Sequence, residues 1–374
     1  MMTVTFPNFG PAALVLSKVL RELGVSHIAP RPNDEEALRL GIRFSPEEIC
    51  IPFKYMVGNL IKAYEEGADT VLMAATSGPC RLGEYCELLK VVLDRSGYEF
   101  NWIVFETPNV IGMREFIRRI KSGFAGTEVK AHRAATSVAK GLFLTFAMDR
   151  LKGRTEALAG YITTPYKAVR LINDVEREIE DCPDLWGSLR IISKYKKVLY
   201  ELKRVPKADP IRILLVGEIY TSMEREANGG IEETLMMMGC SVTKHMDMTW
   251  WIRHTAGEAV LPKALRRNDR KGIICEIGGY GKATVSEILK GKKIDGIVKI
   301  MPSGCMPEIV TKSYCEMLQE EKGYRILHLI YDEMSGNAGY ETRLEAFVDM
   351  LERRRDVLAG NRHRIHKHGL CNDR

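Results

Sequence analysis

The sequence lacks the cysteine motifs that mark several common classes of protein. None of its nine cysteines forms a CxxC pair, and no CxxC…HxxxH spacing is present. These absences leave a zinc finger and a thioredoxin-like redox site without sequence support. In a chain of 374 residues, the nine cysteines are expected to be reduced thiols or metal ligands rather than a disulfide framework.

Nucleotide-binding and hydrolase motifs are also missing. The glycine-rich stretch "IGGYGKAT" is not a phosphate loop, because a GxxxxGK[ST] match would need glycine in place of Glu276 and serine or threonine in place of Ala283. No GxGxxG follows the first strand, and neither a GxSxG elbow nor an HExxH helix is found. The sequence therefore indicates neither an ATPase nor a dinucleotide-binding enzyme nor a hydrolase of these types.

Features of a secreted, membrane or nucleic-acid-binding protein are absent as well. The first basic residue is Lys18, so there is no basic region of a signal peptide. No apolar run reaches the ~18 residues that span a bilayer. Half of the formal net charge of +6 comes from the last fifteen residues, so no nucleic-acid partner is indicated. We expect a cytoplasmic protein with a frayed basic terminus, although the three histidines of that terminus could also bind a metal.

The sequence does contain a repeated alternation of strands and helices. The segments "TVLMAAT" and "NWIVFE" near one end, and "IRILLVGEIY" and "GIVKIMP" near the other, have the apolar content of strands. Helical segments of about ten to fifteen residues separate them, which implies parallel pairing. Between the two groups, segments such as "YKAVRLINDVEREIEDC" have the apolar spacing of long helices.

This pattern predicts an α/β protein with two Rossmann-like parallel-sheet lobes and a mostly helical middle segment. We assign the first lobe to residues 1–107, the helical segment to 108–209, the second lobe to 210–352 and a basic tail to 353–374. The pattern also predicts strands at "VSHIAP" and "GIICEIGG", and a capping-box helix start at Thr284–Glu287.

Three cysteines lie at predicted helix starts. Cys80 follows the strand "TVLMAAT" and the turn "SGP", and Cys305 follows "GIVKIMP" and "SG". Cys50 stands two residues before Pro52, which suits the first turn of a helix, but the preceding "SPEEI" resembles a helical turn more than a strand. The carboxyl ends of parallel strands commonly bind ligands, and a helix N-terminus lowers a thiol's pKa. An anionic, thiolate-bound iron–sulfur cluster fits this position.

Burial in a core is the competing interpretation, because free cysteine is among the most buried residue types. Burial alone would explain any one of the three cysteines. Because all three have Gly or Pro close to them at a helix start, we favour metal ligation for the three together. We expect core or surface thiols at the other six positions: Cys86, Cys182, Cys240, Cys275, Cys315 and Cys371.

The stretch "SPEEICIPFKYMVGNLIKAYEEGADTVLMAATSGPCRLGEY" resembles iron–sulfur proteins related to 2-hydroxyacyl-CoA dehydratases and benzoyl-CoA reductases. It is most similar to their stand-alone branch, the acyl-CoA dehydratase activase-related or CoA protein activase proteins. The most specific motif is GPCRxGxY, from Gly78 to Tyr85. The segments "ILLVGEIY", "MPSGCMPEIV" and "GNAGYETRLEAFVDML" extend the resemblance over most of the chain outside the middle segment.

The resemblance implies a cofactor, a site and a partner. In dehydratase-type proteins, a subunit holds its cluster with two cysteines of the first lobe and one of the second. By this correspondence, Cys50, Cys80 and Cys305 would hold an iron–sulfur cluster, [4Fe-4S] or a larger double-cubane type, in the cleft between the lobes. A separate ATP-hydrolysing iron–sulfur activase would supply low-potential electrons, in agreement with the missing phosphate loop. A homodimer or heterodimer, an acyl-CoA or other small-molecule substrate, and an anaerobic host are compatible with this chemistry.

Five polar residues near these segments are candidates for substrate contact. Arg81 could hydrogen-bond cluster sulfides or an acidic substrate, or it could form a surface salt bridge. Lys54 and Tyr85 have similar alternatives on a helix surface. Glu218 and Tyr220 end the strand "ILLVGEIY", where a cleft would lie.

Three functions are compatible with the sequence. The first is an oxygen-sensitive iron–sulfur redox protein or enzyme, such as a reductase or dehydratase component, that an ATP-dependent activase reduces. The second is a non-catalytic electron relay or scaffold subunit of an acyl-CoA dehydratase-like complex. The third is a structural zinc site on the same thiols.

Overall fold

The computed structural model describes residues 2–75, 81–106, 111–123, 130–260, 277–291, 293–334 and 336–368. Within these residues the strands form two sheets, of three and four strands, and every strand pairing is parallel. Helices connect and cover the strands. The α/β class and the parallel pairing expected from the sequence are therefore confirmed.

The first sheet has the strand order β1-β2-β3, with β1 at Val4–Thr5, β2 at Thr70–Ala75 and β3 at Asn101–Glu106. Its neighbouring helices are α1 (Pro11–Glu22), α2 (Glu35–Phe44), α3 (Ile51–Glu65), α4 (Tyr85–Arg95) and α5 (Met113–Gly123). A 3₁₀ turn at Arg81–Glu84 precedes α4. Helix α3 is buried along most of its length, as expected for a helix packed on several sides.

Helices α2 and α3 approach each other closely because each has a glycine at the contact. A Cβ atom built on Gly41 would lie 1.8 Å from the carbonyl oxygen of Lys54, and one on Gly58 would lie 1.8 Å from that of Ala37. No side chain larger than hydrogen fits at these distances. The pair of glycines therefore fixes α3 against α2 at the level of Lys54.

Three long helices occupy the middle of the chain: α6 (Ala131–Ala159), α7 (Tyr166–Asp181) and α8 (Leu185–Glu201). They share an apolar cluster with Val15 and Val19 of α1, so the middle segment packs on the first part of the chain. The helices expected here are confirmed. No helix in the described ranges is both long enough and apolar enough to cross a membrane.

The second sheet has the strand order β5-β4-β6-β7. Its strands are β4 (Arg212–Gly217), β5 (Ser241–Lys244), β6 (Gly296–Pro302) and β7 (Ile326–Tyr331). Strand β6 is buried throughout, as expected for a parallel strand that is covered on both faces. The chain runs from β4 to β5 on one side and continues through β6 to β7 on the other. The carboxyl ends of β4 and β6 therefore form a topological switch point, where open α/β sheets bind ligands.

The helices of this part are α9 (Ile219–Met223), α10 (Ile231–Met237), α11 (Met248–Val260), α12 (Gly281–Lys290), α13 (Met306–Lys322) and α14 (Asn337–His368), with a 3₁₀ turn at Glu226–Asn228. Helix α14 extends to His368, so the expectation of a frayed terminus over the last fifteen residues is wrong for residues 360–368, while residues 369–374 lie outside the described residues. Residues 352–355, one glutamate and three arginines, are good helix formers and favour this continuation.

Two further expectations are also wrong. The segment "VSHIAP" forms a single bridge, His27 with Val4, because Pro30 ends the possible ladder by lacking an amide donor. Helix α12 begins at Gly281, so Thr284 is inside it and does not cap it. The Thr284 hydroxyl donates instead to Glu308 at 2.9 Å. Most of the predicted strand "GIICEIGG" lies outside the described residues.

Candidate functional site

Cys50 is held at the start of α3, as the sequence predicted. It is the N-cap residue of that helix, and its side chain makes no capping hydrogen bond. Pro52 in the first turn presets the helical backbone. The Cys50 sulfur contacts the hydroxyl of Tyr85, a buried residue at the start of α4. Two of the residues singled out from the sequence, Cys50 and Tyr85, therefore meet.

Cys305 has the same local position in the second sheet. It is the N-cap residue of α13, it lies three residues beyond β6, and its side chain makes no capping hydrogen bond. Gly304 before it has φ +74°, a conformation that glycine adopts without strain. The turn places Cys305 at the switch point between β4 and β6, and the residue is only 7% exposed.

Cys80 lies outside the described residues, as do 76–79 and the side chain of Arg81. The elements predicted on either side are present: β2 ends at Ala75, and the 3₁₀ turn begins at Arg81. Tyr85 follows Cys80 by five residues and contacts Cys50. This contact links the GPCRxGxY motif to the Cys50 turn.

The turn that carries Cys50, before α3, and the turn that carries Cys305, after β6, approach each other; they are called the two cysteine-bearing turns. A Cβ atom built on Gly304 would lie 3.7 Å from the carbonyl oxygen of Glu48, two residues before Cys50. On the same side, Lys54 in the first turn of α3 forms an ion pair with Glu333, which follows β7, at 2.5 Å. The amino end of α3 therefore lies against the carboxyl edge of the second sheet.

The Lys54 ammonium is buried at this contact, and the Glu333 carboxylate neutralises its charge. Its side chain is 2% exposed, and its ammonium group donates to the Glu47 carbonyl at 3.1 Å as well as to Glu333. The first-turn amides of α3 and α13 add the partial positive charge of two helix N-termini.

Glu218 is fully engaged by its own helix. Its carboxylate caps α9 by accepting the Tyr220 amide at 3.0 Å, the Thr221 amide at 2.8 Å and the Thr221 hydroxyl at 2.8 Å. Burial raises the pKa of this carboxyl, while the amide donors act in the opposite direction. Its backbone amide donates to the Ile300 carbonyl of β6 at 3.1 Å, which places it at the switch point.

Tyr220 packs between elements of the two sheets. Its ring is buried with residues of α3 and lies edge-on to Phe9, with ring centroids 5.5 Å apart. Its hydroxyl accepts a hydrogen bond from the Asn33 amide at 2.9 Å, and burial raises the hydroxyl pKa. Lys54, Tyr85, Glu218 and Tyr220 all have protein partners, and their contact with a substrate stays a prediction.

Sequence reasoning missed the residues that join the two turns. Gly304 directly precedes Cys305, and Glu333 follows β7 at the carboxyl edge of the sheet. Their positions beyond the ends of parallel strands, where ligands commonly bind, are the signal that could have identified both residues. Glu333 and Lys54 are 279 residues apart in the chain, and no local pattern predicts their pairing.

Cys86, Cys240 and Cys315 are core thiols, as expected. All three are buried, and burial raises the thiol pKa to about 11 at Cys86, about 12 at Cys240 and about 11 at Cys315. Such thiols are poor metal ligands at neutral pH because the thiolate form is rare. Cys182 caps the end of α7 and is half-buried, while Cys275 and Cys371 lie outside the described residues.

Within the described ranges, no group of three or more His, Cys, Asp and Glu side chains is arranged to hold a metal ion. Cys80 is not part of those ranges, so this finding concerns Cys50 and Cys305 without their expected third partner. Comparison with known proteins adds no family assignment: no family model matches the chain, and no curated protein matches it.

Proposed function

We propose that the chain is an iron–sulfur redox protein of the 2-hydroxyacyl-CoA dehydratase type, with Cys50, Cys80 and Cys305 as thiolate ligands. The observation that carries the proposal is the approach of the two cysteine-bearing turns, where a Cβ on Gly304 would lie 3.7 Å from the Glu48 carbonyl oxygen. The turn before α3 and the turn before α13, each of which carries one of these cysteines, thus approach each other.

The donor set and its surroundings fit such a cofactor. Cys50 and Cys305 are the N-cap residues of α3 and α13. The first-turn amides of α3 and α13 would oppose the negative charge of thiolates and sulfides. The Tyr85 hydroxyl, in contact with the Cys50 sulfur, is positioned to donate to a thiolate there.

The finer architecture in this proposal is a pair of Rossmann-like lobes with the cofactor in the cleft between them. The strand order β5-β4-β6-β7, with Cys305 at its switch point, supports this arrangement for the second lobe. The first lobe would contribute Cys50 from α3 and Cys80 from the end of β2. The proposed boundaries are 1–107, 108–209, 210–352 and 353–374.

The chain's own residues would bind, shield and orient the redox site. When bound, the cluster would supply low-potential electron transfer or an open iron site for a small-molecule or thioester oxygen. Lys54 and Glu333 would hold the two sides of the cleft together, and Tyr85 would orient the Cys50 sulfur. Arg81, next to Cys80 in sequence, would contact an acidic substrate.

A separate ATP-hydrolysing iron–sulfur activase would be the electron donor. The missing phosphate loop and the resemblance to dehydratase-type proteins support this division of labour. In this proposal the protein is cytoplasmic and assembles as a homodimer or heterodimer.

Anaerobic purification and assay of bound iron and acid-labile sulfide test the proposal. We expect a brown protein with equimolar iron and sulfide, whose visible absorbance bleaches with titanium(III) citrate. Turnover of lactoyl-CoA by the reduced protein would indicate a dehydratase component, while reduction without turnover would indicate a relay. Bound zinc without labile sulfide would contradict the proposal.

A further inference from the structure

A cavity of about 410 Å³ lies away from the two cysteine-bearing turns. It is bounded by α1 and the segments on either side of it, by the middle helices α6 and α7, and by residues from Met223 to Met236. Cys50, Lys54 and Cys305 are not among its lining residues, all of which lie in the described part of the chain. Its volume is in the range of small-molecule sites.

The lining of this cavity has an excess of negative charge. Seven glutamates face four basic side chains, Lys18, Arg21, Lys152 and Arg225. Arg225 is already neutralised by Glu233 at 2.6 Å, and the Lys18 ammonium donates to the Cys182 carbonyl. The remaining acidic groups therefore outnumber the basic groups, which favours a positively charged ligand.

Glu156 gives an independent indication of a ligand. It is 0% exposed, it lines the cavity, and neither of its carboxylate oxygens has a hydrogen-bond partner. Lys152 lies one turn earlier on α6 and also lines the cavity; its charge and that of Lys244 favour the ionised form of Glu156, but neither side chain donates a hydrogen bond to it. A buried carboxyl group without a donor is costly, and a ligand that donates to it would remove that cost.

The acidic groups do not have the arrangement of a metal site. Among the described residues, which include the whole lining, no three carboxylate, His or Cys side chains converge as ligands of one ion. Carboxylates spread over a cavity of this size suit an extended organic cation better than a single divalent ion.

We propose that the cavity binds a small organic cation with a protonated aliphatic amine, and that Glu156 accepts a hydrogen bond from its ammonium group. Glu232, held by Lys244 at 3.1 Å and by Asn228 at 3.2 Å, is a fixed carboxylate in the same lining. Lys152 would lie close enough to repel the bound cation. This site is separate from the proposed redox centre and does not depend on it.

Isothermal titration calorimetry with 1,3-diaminopropane, putrescine and cadaverine tests this site. We expect at least one diamine to bind the wild type, with no binding of the neutral 1,4-butanediol. E156Q should weaken that binding at least about tenfold, because it removes a charge-assisted hydrogen bond. E201Q, the same change at an exposed position outside the cavity, should bind like the wild type.

K152M is expected to change the affinity for the diamine in the opposite direction from E156Q. Loss of the competing positive charge should tighten diamine binding, and a general disturbance of the cavity would not. Failure of all three diamines to bind, equal affinity of E156Q and wild type, or weaker binding by K152M would each overturn the proposal. Binding of Mg²⁺ that displaces the diamine and depends on Glu156 would also overturn it, in favour of a metal site.

E156Q is expected to fold, so the experiment is interpretable. Burial raises the pKa of Glu156, which favours the uncharged carboxyl in the absence of ligand, and glutamine has nearly the same shape. Circular dichroism and thermal unfolding of E156Q should match or exceed those of the wild type. A variant that unfolds at a clearly lower temperature would contradict the assignment of Glu156 as a group without a protein partner.

Discussion

Lys54 and Glu333 form an ion pair of 2.5 Å between parts of the chain that are 279 residues apart. Lys54 is 2% exposed, while Glu333 is 25% exposed. The pair ties the first turn of α3, just after Cys50, to the residues that follow β7. Its removal is therefore a direct test of how the two sheets are held at the candidate site.

The first prediction is that E333Q lowers the free energy of unfolding by about 1–3 kcal/mol, because it leaves the Lys54 ammonium buried beside a neutral partner. Urea unfolding at neutral pH measures the loss. E345Q, the same substitution at an exposed position of α14, should change the free energy by less than about 0.5 kcal/mol. Equal effects of the two variants would show that the ion pair contributes nothing specific.

The second prediction concerns the close approach of α2 and α3. G41A should lower the free energy of unfolding by at least about 2 kcal/mol, because the added methyl group would meet the Lys54 carbonyl oxygen at 1.8 Å and separate the helices. G153A is the matched control, since nothing lies within 4 Å of a Cβ at that helical glycine. It should be neutral or stabilise by up to about 1 kcal/mol. A tolerated G41A would contradict the helix contact described above.

The third prediction is a pH dependence that comes from Glu224. Burial raises the pKa of this carboxyl to about 7, from 4.5 in an exposed setting, although the Asn33 amide and the Ala227 backbone amide act in the opposite direction. Between these values the folded state binds more protons than the unfolded state, so stability should fall as pH rises from 4.5 to 7 and remain lower above it.

E224Q removes this titration. The free energy of unfolding of E224Q minus that of the wild type should therefore increase by about 3 kcal/mol from pH 4.5 to pH 8, which is the gain expected for E224Q. Urea unfolding of both proteins over that range measures the gain. Parallel curves for the two proteins would exclude the raised pKa of Glu224.

The fourth prediction concerns the contact between Tyr85 and Cys50. In the proposed redox centre, a hydroxyl that donates to the Cys50 sulfur stabilises the more negative, reduced state, so Y85F should lower the reduction potential while iron is retained. A redox titration followed by EPR measures the shift. Y64F, which removes a hydroxyl from a partly buried ring in the same apolar cluster, should leave the potential unchanged. An unchanged potential in Y85F would remove Tyr85 from the site.

The sequence predicted the helix starts at Cys50 and Cys305 because local signals determine them. Pro52 and Pro307 stand in the first turn of α3 and α13, and glycine or proline marks each preceding turn. The same reasoning failed at Thr284, where the capping-box pattern lies inside α12. There the threonine hydroxyl bonds to Glu308 on a neighbouring helix, a tertiary contact that overrides the local signal.

Local sequence patterns could not predict the contacts between elements of the two sheets. Lys54 with Glu333 and Asn33 with Tyr220 join residues that are 279 and 187 positions apart. Such pairs depend on how the parallel strands are ordered, and single-chain periodicity does not encode that order. The cavity around Glu156 was missed for the same reason, since three separate parts of the chain contribute its lining.

The most direct test of the central claim is the iron and labile-sulfide content of C305A beside that of C315A, both reconstituted anaerobically with iron and sulfide. Cys305 begins α13 and Cys315 lies buried within the same helix, so the two variants remove one thiol each from a single element. The proposal predicts that C315A binds iron and sulfide like the wild type and that C305A loses most of both. Equal iron and sulfide in the two variants would contradict the assignment of Cys305 as a cluster ligand.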